Sequence, residues 1–154
     1  MLALMLAPIS AEAAQKKTVK TTWSQVCGKD KSGADVCQIS QTIVDGKKRK
    51  IARFTVAMAK TGPFLEVSAP LRLYIPFGMQ LQVDDGPQIA MQMIECAADG
   101  CRAVMPLDDD GLQRMRAGKR ITLHIMDTQS GKQIAIAGSL VGFQDAFAKI
   151  AAVQ

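Results

Sequence analysis

The chain has 154 residues, 48% of them apolar and 21% charged, with a formal net charge of +5. That length fits one domain with a sizeable core, and the composition excludes a chain too polar to fold. No apolar run reaches the roughly 20 residues that a membrane-spanning helix needs, and mild basicity favours anionic surfaces without naming one.

The chain opens "MLALMLAPISAEAAQ", apolar from Leu2 to Ile9 and then small and polar. Ala11-Glu12-Ala13 is an A-x-A cleavage pattern, so residues 1–14 read as the remnant of a secretory signal peptide. No Lys or Arg precedes the apolar run, so the true start is expected upstream. Residues 15–154 are then expected to form a single β-rich domain.

Trp23 shares parity with Cys27 and reads as a core anchor near the first cysteines, Cys27 and Cys37. "VDGKKRKIARF" joins a strand ending near Val44 to one starting near Ile51. Its basic run is either a solvated hairpin tip or a contact for an anionic lipid, glycan or other partner. Lys47, Lys48, Arg49 and Lys50 are the candidate residues. Ala52, Phe54, Val56 and Met58 alternate with Arg53 and Thr55, which predicts a half-buried strand. The same spacing predicts strands at Leu71–Ile75, Met79–Val83 and Ile121–Ile125. Pro63, Pro70 and Pro76 confine pairing nearby to edges or strand starts.

Asp85-Gly86 and Ser130-Gly131 predict hairpin turns. Met91 and Met93, two apart, read as core filler rather than soft-metal ligands. Asp108, Asp109 and Asp110 precede Leu112 and Met115, and Gly118 follows. Acids at the start and a left-handed glycine at the stop predict a short helix, not a calcium loop. Phe143, Ala146, Phe147 and Ile150 share one face of a second helix expected over 143–152. The sum is a mainly β fold, an antiparallel sandwich or barrel with two short helices.

Four cysteines behind a signal peptide point to disulfides. Of the three pairings, Cys27–Cys37 and Cys96–Cys101 are favoured, since each closes a local loop that contains turn residues. Neither spacing makes the tight C-x-x-C knuckle common in zinc sites or redox motifs. The single histidine, His124, is expected on the solvent side of its strand. No nucleophile–base constellation or cofactor motif emerges, so a non-enzymatic protein without metal or cofactor is expected. A hydrolase with an unrecognised site is the weaker alternative. With one Trp, one Tyr and five Phe, base-stacking platforms are scarce, and no nucleic-acid partner is expected.

The ordered stretches "TTWSQVC", "CQISQTI", "LRLYIPFGMQLQVDDGP", "CAADGCRAVMPLDDDGLQRMRAG" and "SLVGFQDAFAKI" resemble the bacterial invasion associated locus B family, over roughly Trp23 to Ile150. The resemblance implies a small exported β-rich protein of Gram-negative bacteria, periplasmic, secreted or associated with the envelope. It implies a contribution to invasion of host erythrocytes in some members, and no catalytic residues. The cysteines at 27, 37, 96 and 101 carry over position by position. The partner would be an unknown protein, envelope or host surface. A structural or chaperone-like envelope module is the rival reading. The sequence leaves the oligomeric state open.

Overall fold

A computed structural model describes residues 22–153; the expected signal remnant at 1–14 lies outside the described residues. Among them are ten strands and two helices. Strands β1 (Ser24–Lys29), β2 (Asp35–Val44), β3 (Lys50–Ala59) and β4 (Gly62–Ala69) form a meander. Beyond β4 the sheet continues with β8 (Gly100–Pro106) and β7 (Gln92–Ala97), giving the order β1-β2-β3-β4-β8-β7. The second sheet has the order β10-β9-β5-β6, from β5 (Gln80–Val83), β6 (Ile89–Ala90), β9 (Arg120–Met126) and β10 (Gln133–Ser139). Every pairing is antiparallel. The two sheets do not close into a barrel, so the sandwich alternative holds.

Alternation places the core. Ile39 on β2, Phe54 and Val56 on β3, Leu65 and Val67 on β4 and Ala103 on β8 are fully buried on one face of the larger sheet. Ile121 and Leu123 of β9 are buried in the same cluster. Gly138 of β10 lets the sheets approach: a Cβ there would lie 3.0 Å from Phe54 Cε2 and 2.5 Å from Gln41 Oε1. Helix α2 (Phe143–Ala151) buries Phe143, Ala146, Phe147 and Ile150, the stripe its spacing predicts. Phe143 meets Trp23 edge-on at 5.2 Å, so Trp23 is the core anchor expected of it. Trp23 also donates from Nε1 to the Ser139 carbonyl at 2.9 Å.

Helix α1 (Asp109–Ala117) starts as its acids require: the Asp108 carboxylate accepts from Gly111 N at 2.8 Å. Its end differs from expectation. Gly118 has φ −74°, an extended conformation open to any residue, so it is no left-handed cap. Its role is close packing: a Cβ would lie 2.7 Å from Val83 Cγ1 and 2.9 Å from Leu140 Cδ1. The Asp85-Gly86 hairpin forms, with Gly86 N donating to the Val83 carbonyl, but the positive φ of 48° falls on Asp84. The Ser130-Gly131 turn forms with Gly131 at φ 64°.

Leu71–Ile75 is not a strand. It is the crossover that carries the chain from β4 in one sheet to β5 in the other, between Pro70 and Pro76. Only Leu73 makes a bridge, to Asp127, while Leu71 and Ile75 are 51% and 53% exposed. The segment is pinned from the side: Tyr74 N donates to the Met126 carbonyl and Arg72 Nη2 to the Asp127 carboxylate at 3.0 Å. Asp127 is held below the usual carboxylate range first by hydrogen bonds from Ser130 and then by Arg72.

Candidate interaction surface

The cysteines lie in two hairpins. Cys27 and Cys37 face each other across β1 and β2, with sulfurs 2.06 Å apart. Cys96 and Cys101 face each other across β7 and β8, with sulfurs 2.03 Å apart. Both pairs are at bonding distance and none of the four is free. Cys101 is buried in the core, whereas Cys27 is exposed on an edge strand.

The basic run sits at the tip of the β2–β3 hairpin, where its four side chains take different roles. Asp45 organises the turn: its carboxylate accepts from the amides of Lys47 and Arg49 and from Arg49 Nε, all within 2.9 Å. The Arg49 amide, then its guanidinium and the Lys47 amide, hold the Asp45 carboxyl below its ordinary value. Arg49 is therefore committed to the turn. Lys48 takes the left-handed position at φ 61°. Lys47 and Lys48 are exposed at the apex.

Lys50 starts β3 and faces elsewhere. It borders a cleft of about 190 Å³ on the outer face of the larger sheet, with Arg53, Glu66, Asp99 and Arg102. Register builds this cleft: Thr42, Arg53, Ser68, Arg102 and Glu95 are consecutive cross-strand partners over five strands. Arg102 bonds to Glu95 and lies 4.0 Å from Glu66, and these carboxylates hold its positive charge. Arg53 Nη2 donates to Ser40 Oγ at 3.1 Å, and its Nε is buried without a hydrogen-bond partner. Arg53 and Lys50 thus keep charge that no ion pair among the described residues neutralises. Arg53 and Arg102 were not legible as neighbours in the sequence, because their adjacency depends on strands far apart in the chain. Their outward parity beside core residues was the available signal.

His124 differs from expectation. It is 8% exposed, because Gln82 and Gln133 from the flanking strands close over it. Nε2 lies 2.8 Å from Gln82 Oε1 and Nδ1 lies 3.1 Å from Gln133 Nε2. A neutral ring donating from Nε2 and accepting at Nδ1 satisfies both glutamines. Burial lowers its pKa in the same sense. Both ring nitrogens are engaged, so the ring is a structural link rather than a poised base.

The surface can make multipoint polar contacts through Lys50, Arg53 and Arg102. Among the described residues, no group of three or more His, Cys, Asp or Glu converges to hold a metal, and no helix is long and apolar enough to cross a membrane.

A family model described as "Invasion associated locus B (IalB) protein" matches residues 23–151. The crystal structure of invasion associated protein b from Bartonella henselae is similar in fold, with a TM-score of 0.78 at 24% identity. That match covers 86% of this chain and 92% of the other. A search of curated proteins found no match. The family match spans both hairpins that carry the cysteines, the charged outer face and both helices: the chain belongs to the invasion associated locus B family.

Proposed function

We propose that the protein is exported and acts in the periplasm, or at the cell envelope or surface, as a non-enzymatic binding protein. The observation that carries the reading is the pair of hairpins with cysteine sulfurs at bonding distance. Such bonds persist in oxidising compartments and are reduced in most cytosols. The signal-like start, Leu2 to Ala14, fits the same compartment.

Binding would use the outer face of the larger sheet and the hairpin beside it. Lys50 and Arg53 offer positive charge on the face, and Lys47 and Lys48 offer it at the tip. The chemistry recognised is an anionic surface of the envelope or of a host cell; for this family a contribution to invasion of erythrocytes is the specific form. The engaged nitrogens of His124 and the paired charges of Arg102 support a role without bond-breaking.

The test is cell fractionation followed by co-sedimentation with envelope vesicles and erythrocyte membranes over a range of salt. We expect the protein in the periplasmic or envelope fraction, with binding that weakens as salt rises. Charge reversal at Lys47 and Lys48 spares the Asp45–Arg49 clamp and should weaken binding and flatten its salt dependence. Recovery from the cytosol alone would reject export, and unchanged binding by the reversed variant would reject the role of the tip.

A further inference from the structure

The two sheets have four edges, at β1, β7, β6 and β10. An open edge invites pairing with another chain, and folded proteins blunt edges with charge, proline, bulges or shortness. Three edges here are blunted. β1 ends in Lys29, and β7 carries Glu95 and a break in register between Met93 and Glu95. β6 has two residues and follows shortly after Pro87. β10 has none of these devices: QIAIAGS contains no charge and no proline, and it pairs with β9 in unbroken register.

Parity shows which backbone groups of β10 face outward. Asp127 N donates to the Lys132 carbonyl and Leu140 N to the Lys119 carbonyl, so the even-numbered residues bond to β9. The odd-numbered ones face the edge. At Ser139 that edge is closed: Gln41 Oε1 accepts from its N–H at 2.7 Å and Gln41 Nε2 donates to its carbonyl at 2.9 Å. At Gln133, Ala135 and Ala137 the N–H and C=O groups have no partner among the described residues, and all three residues are exposed.

We propose that this edge pairs antiparallel with β10 of a second copy, about a twofold axis at Ala135. The edge is self-complementary in that register. Ala135 lies opposite the partner's Ala135, and Gln133 opposite the partner's Ala137, so each copy supplies three donors and three acceptors. The next pairs set Ile134, 40% exposed, against the partner's Ile136. Lys132 falls opposite the partner's Gly138, so like charges do not meet. The residue opposite Ser139 is the partner's Gly131, already in a turn, so the strands part where Gln41 closes the edge. The four-stranded sheets of two copies would join into one. The contact is smaller than a standard stable interface, so the dimer forms reversibly with concentration.

Sedimentation equilibrium of the oxidised full domain from about 10 μM to about 1 mM, a range suited to a weak small interface, tests this. The expected result is a mass rising from one chain towards two, with slowed amide exchange at Gln133, Ala135 and Ala137 at the higher concentrations. Ala135→Lys sets two lysines opposite each other and should hold the protein at one chain with an unchanged circular dichroism spectrum. Mixing it with Ala135→Glu should restore the two-chain mass. A single-chain mass throughout, or a dimer indifferent to Ala135→Lys, would overturn the proposal. So would protection of these amides only when an unrelated neutral extended peptide is added, which would make the edge a site for foreign strands.

Discussion

Gln41 shows how one polar side chain can complete a sandwich. It shares the inward parity of Ile39 and is 4% exposed, yet its amide bonds both backbone groups of Ser139 and also Thr22 Oγ1. It does for the end of β10 what a neighbouring strand would do. Gln41→Ala would leave the half-buried Ser139 N–H unpaired and its carbonyl held by Trp23 alone, at a cost of roughly 1–3 kcal/mol. Urea unfolding should show that loss, and full stability in the variant would show the link to be dispensable. His124 is the second case. Its folded pKa lies below the ordinary 6.5, so the unfolded chain takes the proton first as pH falls. Its stabilising contribution is complete above about pH 6.5 and declines as pH drops through the folded value. Thermal melts between pH 7.5 and pH 5 should show this decline, and His124→Gln should flatten it. Neither role was legible in the sequence. Parity placed Gln41 inward but named no partner, and it set His124 on a face that only the flanking glutamines reveal as covered.

Elements were legible where the signal was local. The period-two run at Ala52–Met58 became β3, the helical stripe at Phe143–Ile150 became α2, and Ser130-Gly131 became a turn. Leu71–Ile75 has the same alternation as β3, but flanking prolines and the need to change sheets leave it one bridge. Alternation marks a strand only when a partner is in reach. The cysteine hairpins belong to this scale too. The Cys27–Cys37 bond closes a loop with a separation of 10 residues, for which chain entropy gives about 2–3 kcal/mol. Replacing both by Ser should lower stability by that amount and speed amide exchange in β1, an exposed edge strand, more than in β3 or β4. Equal acceleration throughout would mean that this hairpin is not a separate unit of stability.

At the scale of the molecule, sheet order was the part the sequence withheld. β4 pairs with β8 across the whole of the second sheet's first hairpin, and only that pairing brings Ser68 beside Arg102 and completes the charged row. Composition and cysteine spacing nevertheless pointed to an oxidised two-layer protein, and family membership agrees with that architecture. The proposed export rests on the two hairpins being closed by disulfides in the cell. A non-reducing peptide map of protein taken from the periplasm, alkylated at once, tests it most directly. The expected result is no alkylated cysteine and two linked peptides, Cys27 with Cys37 and Cys96 with Cys101. Four alkylated cysteines, or a link that joins the two hairpins, would contradict it.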